Sequence, residues 1–458
     1  MNENKLALVV GMARSGVAAA LLLAEKGYTL RLADQKGKEQ LAQALEPLKG
    51  VKGVEYRLGE PAQDLLEGVE LVVISPGVPI THPVVKGAQA AGIPCIGELE
   101  LASRWAKGRL VAITGTNGKT TTSTLTAQIF QNAGKLTHLV GNIGLPYASV
   151  ALETREEDVT VCEVSSFQLE SIRQFRPDYS AILNITPDHL NRHGTMAEYI
   201  RLKGRIFENQ RGDQPVALNY DDPILRDMAA AAPCRVVWFS RTGRPPQGAF
   251  VQDGMIVYGQ AGQARPVCPA DQVRIPGPHN LENALAATAL AMEAGVPAPV
   301  IRHTLRTFKG VEHRLETVRQ LDGVTYINDS KGTNVDSTLK AIASMTVPTV
   351  MIAGGSSKQV DMLPLAQALV GSQVFHVVLC GATSQEIAQA LDRAGYRDYS
   401  MAGMDFEKAV HMARSLAAPG GNVLLSPACA SFDLFKDYEQ RGDTFKAIVG
   451  ALKSGAPD

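Results

Sequence analysis

Short apolar runs alternate with longer amphipathic segments along the chain. Apolar runs bounded by Gly, Pro, Asn or Asp are typical of buried strands, and the segments between them have helical periodicity. Repeated alternation of strand and helix predicts parallel sheets and therefore an α/β fold. The predicted strands cover residues 6–10, 30–33, 71–74, 111–114, 159–164, 181–185, 325–328, 349–353, 375–380 and 423–426.

One segment breaks this alternation. Residues 240–275 are rich in Gly, Pro and Gln and predict short antiparallel strands or loops, whereas helices are predicted over about 196–209 and 281–294. A chain of 458 residues is too long for one core and corresponds to about three domains of ~150 residues. We predict three consecutive α/β domains: a Rossmann-like domain over 1–97, a central mononucleotide-binding domain over 98–310 and a Rossmann-like domain over 311–458.

Composition and charge are those of an ordinary globular protein. Hydrophobic residues make up 45% of the chain, charged residues 20%, and the net charge is −1. Because there is no basic surplus, we expect neither nucleic acid nor an anionic membrane as a partner. We also expect no signal peptide, and no apolar run reaches the ~18 residues that span a bilayer. The cysteines form no C-x-x-C pair, which predicts reduced thiols in the cytoplasm; they are Cys95, Cys162, Cys234, Cys268, Cys380 and Cys429.

The strongest local motif lies at residues 110–126, which read LVAITGTNGKTTTSTLT. A buried strand, a glycine-rich turn, Lys119 and Thr120, and then a helix form a cradle in which backbone N–H groups face an anion. The general P-loop would place its first glycine at Ile113, so this loop is a tighter variant that starts at Gly115. The alternative is an ordinary strand-to-helix turn. We interpret the loop as a nucleoside triphosphate site.

A second glycine-rich turn lies between residues 11 and 16, after the first predicted strand. It is similar to a dinucleotide-binding fingerprint whose middle glycine is replaced by Ala13, and the next strand ends at Asp34. The extra methyl group makes NAD less suitable than a related nucleotide. A further strand ends in the turn at residues 75–79, which is where ligands collect on open α/β sheets.

Polar side chains follow several other strands. Glu163 ends one strand and is a candidate Mg²⁺ ligand or general base, although a solvent-facing carboxylate is the alternative. Asp188 and His189 follow the next strand and could equally form a capped turn. Lys203 shares its helix with Arg201 and Arg205, so a solvated basic face is the default interpretation. Two more turns, at residues 329–334 and 426–433, complete a set that recurs at strand ends in each domain.

Nine motifs follow one another along the chain: TGTNGKTT at 114–121, GNIG at 141–144, EVSSFQLE at 163–170, LNITPDHLNRHG at 183–194, YIRLKGRIFEN at 199–209, HNLENALAA at 279–287, HRLE at 313–316, NDSKGTN at 328–334 and SPACASFDLFKDYEQRGDTF at 426–445. Their order and content resemble the Mur ligases over essentially the whole chain. The last two motifs resemble in particular the D-glutamate-adding branch, and the Asn-Pro-Arg motif of the diaminopimelate- or lysine-adding branches is not found.

The resemblance implies an ATP-dependent ligase with ATP, two Mg²⁺ ions and CO₂ as a lysine carbamate. The implied catalytic residues are Lys119, Glu163, His189 and Lys203. In this family the lysine that matches Lys203 is carbamylated, which turns a cation into a carboxylate-like ligand. The implied metal ligands are Thr120, Glu163, His189 and carbamylated Lys203. The implied ATP-binding residues are Thr116, Asn117, Gly118, Lys119, Thr120, Thr121, Thr122, Asn283, Arg314 and Asp329.

The resemblance also implies the two other substrates, UDP-N-acetylmuramoyl-L-alanine and D-glutamate, and we expect a monomer. Gln35 and Lys36 stand where the family usually has Thr-Arg, and Tyr438 stands where Phe is usual. The residues implied to contact the UDP substrate are Ser15, Asp34, Gln35, Lys36, Gly77, Asn142 and His189. Those implied to contact D-glutamate are Lys331, Thr333, Lys358, Ser431, Phe432 and Tyr438.

Two rival functions differ in class from each other. A folylpolyglutamate-type ligase would use the same chemistry on a pterin substrate, but the first domain and the motif at 426–431 argue against it. The second rival is a nucleotide-sensing protein without catalysis. All four implied catalytic residues are present, which argues against this function; they are Lys119, Glu163, His189 and Lys203. The predicted reaction activates a carboxylate as an acyl phosphate, which an amine then attacks.

Overall fold

The computed structural model describes residues 5–59, 64–260, 262–357 and 360–455, without the side chains of Asn191 and Asp336. The chain divides into two compact units. The first comprises residues up to 274 together with His279–Phe308, and the second comprises Ile275–Pro278 and the chain from Lys309 onward. Three sheets are present, two in the first unit and one in the second.

The first sheet has five parallel strands in the order β3-β2-β1-β4-β5. The strand order changes direction between β1 and β4, so a crevice opens at their carboxyl ends. The strands are β1 Leu6–Val10, β2 Thr29–Asp34, β3 Val54–Leu58, β4 Val69–Ile74 and β5 Cys95–Gly97. The helices are α1 Arg14–Glu25, α2 Lys38–Leu41, α3 Pro83–Ala90 and α4 Glu98–Ser103.

The second sheet has nine strands in the order β14-β13-β12-β11-β10-β9-β6-β8-β7. All pairs are parallel except β12–β13 and β13–β14, which confirms the antiparallel strands predicted within residues 240–275. The strands are β6 Arg109–Thr114, β7 Thr137–Gly141, β8 Val159–Glu163, β9 Tyr179–Ile182, β10 Pro215–Asn219, β11 Arg235–Ser240, β12 Gln247–Gln252, β13 Met255–Gln260 and β14 Arg265–Pro269. The helices are α5 Lys119–Asn132, α6 Ser166–Leu169, α7 Leu190–His193, α8 Met196–Gly204, α9 Pro223–Ala229, α10 Pro278–Glu293 and α11 Ala298–Thr307.

The third sheet has six strands in the order β15-β16-β20-β17-β18-β19, of which only the β15–β16 pair is antiparallel. The strands are β15 Glu316–Leu321, β16 Val324–Asn328, β17 Thr349–Ala353, β18 Val374–Cys380, β19 Tyr399–Gly403 and β20 Asn422–Leu425. The helices are α12 Val335–Ala343, α13 Leu363–Leu369, α14 Ser384–Arg393, α15 Phe406–Leu416 and α16 Tyr438–Ala451.

Helix α4 leads from the first sheet to the second and is anchored by a buried carboxylate. Glu100 Oε2 accepts hydrogen bonds from the backbone N–H groups of Arg173 (2.9 Å), Gln174 (2.9 Å) and Phe175 (2.8 Å). Three amide donors on one oxygen compensate the desolvation of this carboxylate. The first two sheets therefore form one compact unit.

The predicted α/β fold is confirmed, and two helix boundaries differ from the prediction. The helix predicted to reach residue 209 ends as α8 at Gly204 and continues as the 3-10 helix Arg205–Phe207. Helix α10 begins three residues earlier than predicted, at Pro278, because proline is well suited to a first helical turn. None of the helices in the described ranges combines the length and apolarity needed to cross a membrane.

Candidate active site

The loop between β6 and α5 has the geometry predicted for a phosphate cradle. Gly118 has φ = 84°, a left-handed conformation that favours glycine, and α5 begins at the next residue, Lys119. The N–H of Thr116 donates to Asn184 O (2.9 Å) and the N–H of Asn117 donates to Asn184 Oδ1 (2.9 Å). Asn184 therefore holds the loop open toward the N-terminus of α5, where an anion is stabilised.

Asn283 packs directly against this loop. A Cβ atom at Gly118 would lie 2.3 Å from Asn283 Oδ1, so a larger residue there would displace the amide. The same oxygen accepts a hydrogen bond from Thr122 Oγ1 (3.2 Å). Thr121 and Thr122 are buried in the first turn of α5, and Thr120 is half-buried beside them. The structure thus brings Asn283 together with the predicted phosphate-binding residues.

Two lysines share one acceptor at this loop. Lys119 Nζ and Lys203 Nζ each donate to the carbonyl oxygen of Gly115, both at 2.8 Å, and Lys119 also donates to Thr116 O (2.7 Å). Burial lowers the pKa of Lys203 well below its ordinary value, and the charge of Lys119 lowers it further. Both effects make the Lys203 ammonium easier to deprotonate than a solvent-exposed lysine.

The basic-face interpretation of α8 is wrong for Lys203. Only 1% of Lys203 is exposed, whereas Arg201 on the same helix is exposed and pairs with Glu198 at 2.7 Å. The Lys203 ammonium also lies 4.7 Å from the centre of the Tyr199 ring. Lys203 is therefore part of the phosphate-loop cluster and not of the solvated surface.

Glu163 is buried, so its solvent-facing alternative is also wrong. Its Oε1 accepts a hydrogen bond from Asn142 Nδ2 (2.8 Å), and its backbone oxygen accepts the N–H of Asn142 (2.9 Å). Its Oε2 is buried and has no hydrogen-bond partner within the described part of the chain. A carboxylate oxygen left unpaired in the interior is costly, and a divalent cation would satisfy it. Glu163 therefore fits a Mg²⁺ ligand.

His189 lies at the edge of the same site. It has φ = 53°, and its ring centre is 4.8 Å from that of Phe167. Desolvation lowers the pKa of His189, Asp188 opposes this shift, and the charges of Lys119 and Lys203 add to the lowering. A neutral imidazole is the form that binds metals. Among the residues with described coordinates, no three His, Cys, Asp or Glu side chains form a metal-binding group.

The residues predicted on the first sheet follow β1, β2 and β4, at the carboxyl ends of these strands. Asp34 Oδ2 accepts the N–H of Met12 (2.6 Å) and its Oδ1 accepts the N–H of Lys36 (2.9 Å), so the carboxylate fixes both loops. A Cβ atom at Gly16 would lie 1.8 Å from the carbonyl oxygen of Gly11, which explains this glycine. Ser15 is half-buried in the first turn of α1; the exposed residues of the group are Gln35, Lys36 and Gly77.

In the second unit, the charge of Arg314 acts on the carboxyl group of Asp329. Asp329 is buried beyond the end of β16, and its Oδ2 accepts a hydrogen bond from Ser426 Oγ (2.8 Å). Desolvation raises the pKa of Asp329 to about 6, although the charge of Arg314 opposes the shift. The neighbours of Arg314, His313 and Leu315, have φ values of 60° and 44°, so the turn is strained.

The residues predicted for D-glutamate follow β16 and β20. The Lys331 ammonium lies 5.5 Å from the centre of the Tyr438 ring, and Thr333 is two residues further along the same turn. Ser431 is buried, whereas Phe432 is 73% exposed. Lys358 lies outside the described residues.

Comparison with known proteins covers most of the chain. The family "Mur ligase MurD-like, N-terminal domain" matches residues 5–97, and "Mur ligase middle domain" matches residues 113–291. The family "Mur ligase, glutamate ligase domain" matches residues 313–429. The chain belongs to the Mur ligase family. It is therefore an enzyme, and the three-domain α/β architecture predicted for it is that of this family.

Full-length relatives confirm the resemblance to the D-glutamate-adding branch of the Mur ligases. A protein of Thermoanaerobacter sp. (strain X514) is 44% identical over 98% of this chain and 99% of its own length. A protein of Pelotomaculum thermopropionicum is 47% identical over 99% of both chains. Both are named UDP-N-acetylmuramoylalanine--D-glutamate ligase.

Solved structures of other Mur ligases share the fold. UDP-N-acetylmuramate-alanine ligase of Thermotoga maritima has a TM-score of 0.60 at 18% identity, covering 98% of this chain and all of its own. MurF of Acinetobacter baumannii has a TM-score of 0.60 at 16% identity, covering 96% of this chain and 92% of its own. At such identities the likeness concerns the fold alone.

Arg441, which none of the motifs singled out, joins two of the predicted turns of this Mur ligase. Its guanidinium is 2% exposed and donates to Ser330 O (2.9 Å) and Cys429 O (3.2 Å). Burial lowers the pKa of Arg441 to about 10. The available signal was its position in the apolar stripe of α16, four residues before Phe445 and eight before Val449, both of which are buried.

Proposed function

We propose that this Mur ligase adds D-glutamate to UDP-N-acetylmuramoyl-L-alanine, with ATP converted to ADP and phosphate through an acyl-phosphate intermediate. The proposal depends on one observation above all: Glu163 Oε1 accepts a hydrogen bond from Asn142, the predicted contact of the acceptor substrate, and Glu163 pairs with Ile113 on the strand that leads into the phosphate loop. The names of the full-length relatives support the two substrates. Free cysteines throughout the chain support a cytoplasmic step of peptidoglycan precursor synthesis.

In the first step the acceptor carboxylate attacks the γ-phosphorus of ATP, the bond to the β-phosphate oxygen breaks, and ADP leaves. Both reactants are anions, so their repulsion must be reduced before they can meet in line. Lys119 and the N-terminus of α5 place positive charge at the loop where the phosphates would bind. Asn142 would orient the acceptor because its own side chain is fixed by Glu163.

In the second step the neutral amine of D-glutamate attacks the acyl carbon. A tetrahedral oxyanion forms, the attacking nitrogen loses a proton, and collapse expels phosphate, which takes up that proton and leaves an amide. His189, in its neutral form, would accept or donate a hydrogen bond beside this carbon. The amino acid would be held by the second unit, through Lys331, Thr333, Lys358, Ser431, Phe432 and Tyr438.

Two Mg²⁺ ions fit the donors around the loop. One would be held by Thr120 and Glu163, and the other by His189 and a carbamate on Lys203. When bound, Mg²⁺ neutralises phosphate charge and polarises the phosphoryl group. The lowered pKa of Lys203 eases formation of the neutral amine with which CO₂ reacts. As the family resemblance implies, we further propose that the nucleotide sugar binds to residues 1–97, ATP to 98–310 and the amino acid to 311–458.

The direct test is a reconstitution of the reaction. Purified protein is mixed with ATP, UDP-N-acetylmuramoyl-L-alanine and D-glutamate, and phosphate and the amide product are measured. We expect phosphate only when all three substrates are present, with one amide formed per phosphate. Phosphate release with a pterin acceptor instead would favour the folylpolyglutamate-type reaction. ATP binding without turnover in any mixture would favour a nucleotide-sensing protein.

Lys358 provides a test of the amino-acid site. We expect Lys358→Ala to raise the KM for D-glutamate about tenfold or more, because a cationic partner of a carboxylate is lost, and to leave the KM for ATP within about twofold. Initial rates with each substrate varied in turn measure both constants. Lys408→Ala, a change of an exposed lysine on α15, is the matched control. An equal rise in both constants for Lys358→Ala would contradict this placement.

A further inference from the structure

Arg192, at the end of α7, forms a two-point ion pair with Glu170. Its Nε donates to Glu170 Oε1 (3.2 Å) and its Nη2 donates to Glu170 Oε2 (2.7 Å). The two side chains are only 17% and 6% exposed. A two-point ion pair that is shielded from solvent fixes the orientation of the guanidinium plane as well as the position of its charge. Arg192 is therefore held in one orientation.

The same guanidinium reaches the first sheet. Its Nη1 lies 3.4 Å from the carbonyl oxygen of Gly77, and its Nη2 lies 3.4 Å from that of Val78. These residues follow β4 at the switch point of the sheet, where the crevice for a nucleotide opens. Arg192 thus connects the second sheet's loop to the turn that borders this crevice.

The face of the guanidinium is stacked on an aromatic ring that also contacts His189. The Arg192 guanidinium carbon lies 4.2 Å from the centre of the Phe167 ring, and the Phe167 and His189 ring centres are 4.8 Å apart. Arg192 therefore supports one face of Phe167, and Phe167 in turn supports His189. His189 is half exposed and has a positive φ, so its position depends on such packing.

We propose that Arg192 is a positioning residue that sets the spacing between the nucleotide-binding turn at Gly77 and Val78 and the acceptor end of the site at His189. The inference rests on the proposed function, because UDP-N-acetylmuramoyl-L-alanine is long enough to contact both ends. A ligand that binds two sites gains affinity only when their spacing matches its own length. Loss of Arg192 leaves each end able to bind but removes this match.

The test compares a ligand for one end with a ligand for both. Dissociation constants are measured by calorimetry for UDP alone and for UDP-N-acetylmuramoyl-L-alanine, in wild type and in Arg192→Ala. We expect the constant for UDP to stay within about twofold, and that for the full substrate to rise about tenfold. We also expect the KM for ATP to stay within about twofold, while kcat falls because His189 is displaced.

Two further variants and a matched control make the result decisive. Arg192→Lys keeps the positive charge but removes the two-point contact, and Glu170→Gln keeps the side-chain shape but removes the ion pair. We expect both variants to bind UDP-N-acetylmuramoyl-L-alanine more weakly and to bind UDP as wild type does. Arg201→Ala removes an exposed, paired arginine nearby and should change neither constant. The proposal would be overturned if folded Arg192→Ala and Arg192→Lys bound UDP and the full substrate equally more weakly than wild type, or if neither dissociation constant rose. Wild-type protein that binds the full substrate no better than UDP would overturn the proposed function itself.

Discussion

Replacement of Lys119 by Ala is expected to lower the rate of phosphate release about 100-fold or more, on the scale of one lost charge-stabilising donor. Lys119 is the first residue of α5, and its Nζ donates hydrogen bonds to the carbonyl oxygens of Gly115 (2.8 Å) and Thr116 (2.7 Å). Its charge and the dipole of α5 therefore act at the same place. The measurement is steady-state phosphate release with all three substrates at saturating concentration.

The control for this result is Lys135→Ala, which removes an exposed lysine just beyond the C-terminal end of α5. We expect its rate to stay within about twofold of wild type, since an exposed charge is screened by solvent. Thermal unfolding of both variants shows whether α5 is intact. A folded Lys119→Ala protein with nearly normal turnover would mean that the loop does not bind the phosphates.

The shape of the loop between β6 and α5 could be predicted because its signals are local. A buried strand, Gly115, Gly118 and a following helix lie within one short stretch, and the left-handed φ of Gly118 is what such a turn requires of glycine. The strand-end residues Glu163 and His189 were predictable for a related reason, since parallel strands place their carboxyl ends at one edge of a sheet. The alternation of strands and helices then gave the α/β class.

Contacts between distant segments could not be predicted. Arg192 is separated by 115 residues from Gly77, and Arg441 by 111 residues from Ser330. A long basic side chain suits the surface unless the fold brings acceptors to it, and helical periodicity does not contain that information. Periodicity also cannot tell buried Lys203 from exposed Arg201, because both are basic residues on the same short helix.

The burial of Lys203 leads to the second large effect. Two ammonium groups on the carbonyl oxygen of Gly115 repel each other, and Lys203 is the more deeply buried, so its proton is the one most easily lost. A neutral amine can react with CO₂ to give a carbamate and release a proton. The buried, unpaired Oε2 of Glu163 supports a cation at the site, and a carbamate would add a second negative charge.

We therefore expect Lys203→Ala to be folded and nearly inactive, with part of its activity restored by short carboxylic acids that occupy the space of the carbamate. Arg201→Ala on the same helix should keep wild-type activity and show no response to the acids. A readout independent of turnover is the ¹³C NMR signal of a carbamate after exposure to labelled bicarbonate, present in wild type and absent in Lys203→Ala. Wild-type rates in Lys203→Ala would contradict a catalytic role for this lysine. An inactive variant that no carboxylic acid rescues, together with a wild type that lacks the carbamate signal, would leave Lys203 acting as an amine that holds the carbonyl oxygen of Gly115.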